Sequence, residues 1–253
     1  MDYKNEEKRH YNNKYGISSR SKNSISDLVM HHAHNYFEQE VNKALANNKT
    51  NLILDFGCGT GAKSVKFSSL SNKIIGIDIS ETSIEIANKV KNTNSKFIVM
   101  DCEKLNFPPN YFDIIFDYGT FSSIEINSAI VEIIKVMKPD ASLIAIETYG
   151  HNPISNIKRR INVLLGKRTK WAASHIMKKK HWDNIISNFN NYKITYFGSI
   201  SLFFVPILKI SPKNFQEKIL SFVNKIDFYL SNKNILKYLA FKTVVVLSNP
   251  QKK

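Results

Sequence analysis

The sequence predicts an α/β fold in which helices cover a mostly parallel sheet. Two observations lead to this class. Between residues 51 and 148, short apolar segments alternate with helical patterns about ten residues long, which is typical of parallel sheets. The segment 74–77 is apolar almost throughout, as expected for a strand that is buried on both faces.

The first elements follow from the spacing of apolar residues. Residues 1–24 are polar and rich in tyrosine, and we expect an arm without regular structure that orders over a ligand. Ser26 and Asp27 are plausible caps of a helix through Leu45. In the central part we predict strands at 51–56, 73–78, 96–100, 112–117 and 142–148, and helices at 62–70, 81–91 and 128–137, the last ended by Pro139.

The composition changes after Gly150, and residues 151–180 are strongly basic. The apolar run 200–210 is interrupted by Pro206 and Lys209, and we interpret it as a buried strand end or a pocket wall. A helix is predicted at 180–188, one or two amphipathic helices at 215–239, and strands at 192–198 and 240–247. Since no repeat or flexible linker is visible, we expect one domain over 1–253, with an N-terminal part (1–48), a core (50–150), a basic insertion (151–180) and a C-terminal part (181–253) carrying a helical insertion at 211–239.

Charge and composition limit the partners. The net charge of +15 favours anionic partners, although a lysine- and asparagine-rich surface explains it equally well. The two cysteines form no disulfide or metal-binding pattern, and no apolar run reaches the ~18 residues of a membrane span. With no secretory signal, we expect a cytoplasmic protein. His31, His32, His34 and Glu38 lack a completing ligand, so we expect no metal.

A glycine-rich turn follows the first predicted strand. Gly57, Gly59 and Gly61 allow a ligand to approach the backbone closely, and Asp78 ends the next strand, where a carboxylate accepts hydrogen bonds from ribose hydroxyls. The dinucleotide fingerprint has the different spacing G-x-G-x-x-G. Asp55 would repel a phosphate but suits an ammonium group, which argues against NAD.

These segments resemble the class I S-adenosylmethionine-dependent methyltransferases, in the type 11, ubiquinone-biosynthesis-like small-molecule branch. The resemblance covers about residues 50–150 and implies a Rossmann-like three-layer sandwich of seven strands, with an antiparallel last strand and helical caps. One departure is Pro139-Asp140-Ala141, where the family often has Pro-Gly-Gly. The matching segments are Leu54–Gly61, Gly76–Ser80, Met100–Leu105, Phe107–Ile115 and Val136–Leu143.

The resemblance also implies roles in binding S-adenosyl-L-methionine. Asp55 and the glycine backbone would hold the methionine half, and Asp78 would hold the ribose. Asp101 would bind the adenine amino group, with Ile79 packing on the ring. The full expected cofactor set is Asp55, Gly57, Cys58, Gly59, Gly61, Asp78, Ile79, Asp101, Cys102, Asp117 and Tyr118.

The acceptor site should follow strands four and five, because ligands bind at the carboxyl ends of parallel strands. A hydroxyl acceptor would need a base, and His151 is the first choice, the alternative being a surface or capping histidine. The catalytic candidates are His151, Tyr118 and Glu147. The substrate-binding candidates are Tyr11, Phe121, Tyr149, Arg159, Arg160, Arg168 and His175.

Two segments leave alternatives open. We interpret 151–180 as a cap over an anionic acceptor, with Lys158 and Arg159 flanking the helix face opposite Ile161 and Leu165; a solvated charged face is the alternative. The amphipathic segment 215–238 packs against the domain or docks on an acidic membrane through lysines, which keeps a lipid-like acceptor open. These lysines are Lys213, Lys218, Lys225 and Lys233.

The expected function is therefore methyl transfer to an oxygen or nitrogen of a small molecule: a metabolite, sugar or lipid precursor. The alternatives are an RNA methyltransferase and a non-catalytic cofactor-binding subunit. Against RNA stands the lack of an Asn-Pro-Pro-Tyr-like motif, since Asn152-Pro153 has no following aromatic. An intact glycine loop with Asp78 argues against a non-catalytic subunit.

Overall fold

The computed structural model describes residues 2–17, 25–46, 51–68 and 72–252. Within these ranges the strands form one seven-stranded sheet in the order β3-β2-β1-β4-β5-β7-β6. β7 runs antiparallel to both of its neighbours, and the other pairings are parallel. The predicted fold class is confirmed. The strands are β1 (Asn51–Phe56), β2 (Asn72–Asp78), β3 (Ser95–Val99), β4 (Phe112–Asp117), β5 (Met137–Thr148), β6 (Phe189–Phe197) and β7 (Lys242–Pro250).

Helices cover both faces of this sheet. Successive residues of a strand point to opposite sides, and in the central strands both sides are apolar and need to be covered. In β1, Leu54 packs with Ile133 and Trp182 on one face, whereas Ile53 packs with Phe37 and Phe67 on the other. The helices are α1 (Tyr3–Ile17), α2 (Ile25–Ala46), α3 (Ala62–Phe67), α4 (Glu81–Val90), α5 (Ile126–Val136), α6 (Pro153–Leu164), α7 (Lys170–Ser174), α8 (Lys179–Ile186), α9 (Val205–Ile210) and α10 (Lys213–Ser231), with 3₁₀ turns at Phe121–Ser123, Ser201–Phe204 and Asn234–Leu239.

Two insertions extend the sheet's carboxyl edge. The first, α6 to α8, follows β5, and the second, α9 and α10, follows β6. Because β7 is antiparallel to both β5 and β6, these two strands run in the same direction and end at the same edge. Both insertions therefore begin where β1, β2 and β4 also end.

The structure corrects three of the predicted elements. The predicted lack of regular structure in the N-terminal arm is wrong, since residues 3–17 form α1, which packs on α4. The segment 200–210 is a 3₁₀ turn followed by α9, with Pro206 in the first helical turn, where its missing N–H costs nothing. Pro139 does not separate helix from strand, because β5 already begins at Met137, which pairs with Phe112 before a register shift.

The ends of other elements shift by a few residues. α10 ends at Ser231, before the 3₁₀ turn, and β6 begins at Phe189. The side chains of the expected caps Ser26 and Asp27, and residues 69–70 of the predicted 62–70 helix, lie outside the described residues. Within the described ranges, no helix is long and apolar enough to cross a bilayer.

Candidate functional site

A cavity of about 300 Å³ lies at the carboxyl ends of β1, β2 and β4. This is where ligands bind in open α/β sheets. The turns after the strands form its floor, and α1 lies across it. Its lining residues are Tyr3, Lys4, Glu7, Tyr11, Lys14, Gly57, Gly59, Asp78, Ile79, Asp101, Cys102, Glu103, Tyr118, Gly119, Thr120, Ser123 and Ile124.

The glycine turn after β1 depends on the absence of side chains. Gly57 has φ +76°, and a Cβ there would lie 2.0 Å from Oγ1 of Thr120, which donates a hydrogen bond to the Phe56 carbonyl. Gly61 has φ +77°, and its Cβ would lie 2.6 Å from the Phe97 ring. L-residues rarely adopt such positive φ angles. The turn therefore keeps bare backbone against the cavity at Gly57 and Gly59.

The Asp78 carboxylate is fixed at the end of β2. It accepts hydrogen bonds from the backbone N–H groups of Gly59 and Ser80, both at 2.9 Å. Burial raises the pKa of Asp78, and these two N–H groups oppose the rise by favouring the charged form. An acceptor-only carboxylate is thereby held beside the glycine turn and exposed to the cavity.

Four of the expected cofactor residues do not line the cavity: Asp55, Cys58, Gly61 and Asp117. The side chain of Asp55 is buried and accepts a hydrogen bond from the Ser64 hydroxyl. Burial raises the pKa of Asp55 to about 7. Cys58 is buried against Phe97, and Gly61 begins the turn into α3.

A cationic side chain from α1 occupies the opposite end of the cavity. Lys4 Nζ lies 2.7 Å from Asp101 and 2.8 Å from Glu103. The Tyr3 hydroxyl donates to Glu103, and burial raises the pKa of Tyr3. Asp101, expected to bind an adenine amino group, thus lines the cavity with a lysine as partner; Ile79 and Cys102 lie beside it.

Two buried carboxyl groups lie near the carboxyl ends of β4 and β5: Asp117 and Glu147. Asp117 accepts from the N–H groups of Gly119 at 3.3 Å and Thr120 at 2.8 Å, so it shapes the turn after β4. Glu147 accepts from the Thr148 N–H at 3.2 Å. Burial raises the pKa of both carboxyls. Of the residues after β4, Tyr118 lines the cavity, and Asp117 does not.

The remaining catalytic and aromatic candidates lie outside the cavity. His151 accepts a hydrogen bond from the Lys179 N–H at 3.1 Å, and its ring contacts Tyr149. Tyr149 and Phe121 are fully buried in the core. The His175 ring stacks on Trp171, with the ring centroids 3.6 Å apart. Tyr11 does line the cavity, and its hydroxyl lies 3.2 Å from Ser123 Oγ.

The arginines of the basic insertion have three different environments. Arg159 is buried, donates to the Tyr149 carbonyl at 3.2 Å, and has its pKa lowered to about 10 by burial. Arg168 donates to the Ala172 carbonyl at 3.0 Å. Arg160 lines a separate groove between α6 and α7. The predicted orientation of α6 is wrong: Arg159 faces inward, and Ile161 is 49% exposed.

Sequence reasoning missed most of the α1 side chains that line the cavity. Glu7 is the most buried of them: the Thr169 hydroxyl donates to its Oε1, and its Oε2 has no hydrogen-bond partner among the described residues. Burial raises the pKa of Glu7. The spacing of three and four residues between the lining positions of α1 was the available signal for a helix face. These positions are Tyr3, Lys4, Glu7, Tyr11 and Lys14.

The segment that carries the cavity floor matches a known family. Residues 54–145 match the methyltransferase domain family. The matched segment contains the glycine turn and Asp78, so the part of the chain that forms the cavity floor is similar to methyltransferase domains.

Similar proteins extend the comparison. The chain is 29% identical over 134 residues to the ubiquinone/menaquinone biosynthesis C-methyltransferase UbiE of Pseudomonas putida, covering 49% of this chain and 51% of that protein. It is 31% identical over 153 residues to a malonyl-[acyl-carrier protein] O-methyltransferase of Buchnera aphidicola, covering 56% and 60%. The chain thus spans about half the length of the curated relatives it matches.

Among the similar solved structures, one aligns with this chain over almost the full length of both proteins. It is the geranyl diphosphate C-methyltransferase of Streptomyces coelicolor A3(2), in complex with Mg²⁺, geranyl diphosphate and S-adenosyl-L-homocysteine. The TM-score is 0.61 and the sequence identity 11%, with 100% of this chain and 99% of that chain covered. At this identity the likeness shows a shared fold.

Proposed function

We propose that this chain binds S-adenosyl-L-methionine and transfers its methyl group to a small-molecule acceptor. One observation carries the proposal: the bare glycine turn and the fixed Asp78 carboxylate line the same cavity at the carboxyl edge of the sheet. A small-molecule acceptor is supported by the relatives, whose names describe methyl transfer in quinone biosynthesis and to malonyl-[acyl-carrier protein].

The cavity fits the proposed ligand. Its volume lies at the lower end of the ~300–1,000 Å³ of small-molecule sites. A Cβ added at Gly119 would meet no protein atom within 4 Å, so this backbone faces open space. We assign Gly57 and Gly59 to the amino-acid end and Asp78 to the ribose hydroxyls. Ile79 and Asp101 then lie at the adenine end.

The chemistry that S-adenosyl-L-methionine supplies is an activated methyl group for in-line displacement, in which positioning contributes much of the rate. We assign the acceptor to the part of the cavity lined by Tyr118, after β4, and the α1 side chains Glu7 and Tyr11. We assign Glu7 Oε2 as the atom that takes the acceptor's proton. Its carboxyl lines the cavity, is buried and has a raised pKa, as a general base requires.

A thermal-shift titration tests cofactor binding. Ligand at 100 times its Kd should stabilise the folded chain by about 2.7 kcal/mol. The Asp78→Ala variant should lose most of this shift because the ribose hydroxyls lose their acceptor, whereas Asp140→Ala, at an exposed position, should keep it. If Asp78→Ala retains the full shift, or if the parent chain shows none, the assignment is wrong.

The role of Glu7 is tested by the pH dependence of labelled-methyl transfer. A base with a raised pKa is charged only above that pKa, so kcat/KM should fall as the pH falls through it. Glu7→Gln cannot accept the proton and should lower kcat/KM about 10²-fold or more, with no acidic limb. A variant that keeps the parent's acidic limb would exclude Glu7 as the base. Cofactor binding should persist in this variant.

A further inference from the structure

Exposed large apolar side chains concentrate in the two insertions at the carboxyl edge. In the core between residues 51 and 150, the described ones are Val90, Val99 and Val131, which lie on separate elements. Scattered residues of this kind are ordinary, whereas a clustered set marks an interaction surface. The insertions expose Ile157, Ile161, Leu164, Leu165, Phe203, Ile207, Ile210, Phe215, Phe222, Ile226, Phe228, Tyr229 and Tyr238.

Helix α10 has one apolar face that the fold uses. Leu220 and Val223 are buried, and the buried carboxylate of Asp227 accepts from the Gly198 N–H at 2.7 Å and the Ile200 N–H at 2.6 Å. This face anchors the helix to α2 and β6. The packing of the domain is therefore complete without the other side of the helix.

The opposite side of α10 carries a second apolar stripe. Its residues recur at intervals of three, four and seven, which places them on one helix face. Phe222 is 67% exposed and Tyr229 is 63% exposed. We call this set the α10 stripe: Phe215, Phe222, Ile226 and Tyr229.

Positive charge accompanies the α10 stripe. Lys218 lies over the Phe215 ring and Lys233 over the Tyr229 ring, and Lys225 precedes Ile226. Of the acidic residues of α10, Asp227 is buried, and the exposed Glu217 lines a groove beside α2 together with Lys225. An apolar stripe flanked by lysines is typical of helices that lie on membrane surfaces.

Helix α6 repeats this arrangement. Its inward side is fixed by Arg159, while Ile157 is 61% exposed and Leu164 is 86% exposed. Arg160 shares their exposed side by helical spacing. Helix α6 has no acidic residue.

The two insertions contact each other. Asn152, the cap of α6, donates to the carbonyl of Leu239, and the His151 and Tyr238 ring centroids are 5.5 Å apart. The 3₁₀ turn that ends the second insertion thus abuts the start of α6. Both helices belong to one edge of the molecule, the edge that carries the cavity.

We infer that the α10 stripe, with the exposed side of α6, docks this chain on an anionic lipid bilayer. The apolar side chains enter the acyl–headgroup boundary, and the lysines reach the lipid phosphates. The α10 stripe itself and helix α6 carry no acidic residue, which matches a negatively charged surface. The inference does not rest on methyl transfer, because docking is measured without the methyl donor.

Vesicle co-sedimentation of the full chain tests the charge component. Vesicles of phosphatidylcholine mixed with phosphatidylglycerol should bind the parent chain, and pure phosphatidylcholine should bind it much less. Lys218→Glu/Lys225→Glu/Lys233→Glu should weaken binding at least about tenfold. The matched control, Lys89→Glu/Lys91→Glu/Lys96→Glu, makes the same change in net charge at exposed positions of the core. Equal losses in both variants would overturn the inference, because overall charge would then explain the binding.

A second pair of variants tests the apolar component. Phe222→Ser/Ile226→Ser should reduce binding to the anionic vesicles several-fold, whereas Val131→Ser, a residue of similar exposure on α5, should leave it unchanged. Light scattering of the parent chain tests the alternative that a second copy of the chain binds the α10 stripe. A stable dimer that Phe222→Ser/Ile226→Ser dissociates would assign the stripe to a second copy of the chain and overturn the membrane assignment.

Discussion

The floor and the roof of the cavity are held by different kinds of contact. The floor consists of the glycine turn 57–61 with Asp78 and Thr120, and its bonds join these side chains to backbone groups. The roof is α1, which α7 contacts. It is held by side-chain pairs between distant residues, such as the Tyr3 ring stacked on Trp171 at 3.8 Å and Thr169 donating to Glu7.

This difference separates a rigid element from an adjustable one. Backbone-directed bonds tie the floor to the sheet, so the floor cannot change without disturbing the strands. Side-chain contacts of the roof can be lost one at a time while the core stays folded. We therefore expect floor substitutions to affect folding and binding together, and roof substitutions to affect mainly the covering of the ligand.

The largest effect is expected for Gly57→Ala. The added Cβ would lie 2.0 Å from Thr120 Oγ1 at a φ of +76°, so both clash and strain oppose it. Gly166→Ala is the matched control, because φ is +66° there and nothing lies within 4 Å. The control should cost about 1–2 kcal/mol of unfolding free energy from strain alone. Chemical denaturation should show a clearly larger loss for Gly57→Ala, together with loss of the thermal shift. Equal losses would mean that the turn tolerates a side chain.

A pH-dependent effect is expected for Asp55→Asn, also in the floor. The folded chain holds this proton up to a pKa of about 7, while the unfolded chain releases it near pH 4. The raised pKa therefore makes the parent less stable as the pH rises between these values. Relative to the parent, the variant should gain about 2 kcal/mol of unfolding free energy between pH 5 and pH 7.5. The exposed Asp140→Asn should show no such trend, and a constant difference for Asp55→Asn would contradict the shifted pKa.

The smallest effect is expected for Trp171→Leu in the roof. This ring is stacked between Tyr3 and His175, and each aromatic pair contributes about 1 kcal/mol. Amide hydrogen exchange should become faster in α1, and the affinity for the methyl donor should fall several-fold, with the sheet amides unchanged. Tyr192→Leu, at an exposed aromatic of β6, is the control. Unchanged exchange in α1 would show that the stack does not hold the roof.

The sequence predicted the central strands because the pattern that specifies them is local. β1 and β4 lie where the apolar segments placed them, at 51–56 and 112–117. Gly57, Gly59 and Asp78 lie at the cavity for the same reason, since each immediately follows or ends a strand. The roles assigned to them stay predictions until binding is measured.

Residues that depend on distant contacts were not predictable in this way. α1 has no continuous apolar stripe, and its lining side chains pair with Asp101, Glu103 and Thr169, far away in the chain. His151 is bonded to the Lys179 backbone and lies outside the cavity, a placement that its position after β5 does not reveal.

By itself, the sequence determined the α/β class, the strand ends and the glycine turn. The spacing of apolar residues and the conformational freedom of glycine depend on only a few neighbouring residues. Only the tertiary structure decided which face of α6 is buried. Arg159 turns inward since the Tyr149 carbonyl and Asn156 accept its hydrogen bonds, which leaves Ile157 and Ile161 in solvent. A buried guanidinium is stable only where hydrogen-bond acceptors surround it, and the positions of these acceptors are set by the folded chain.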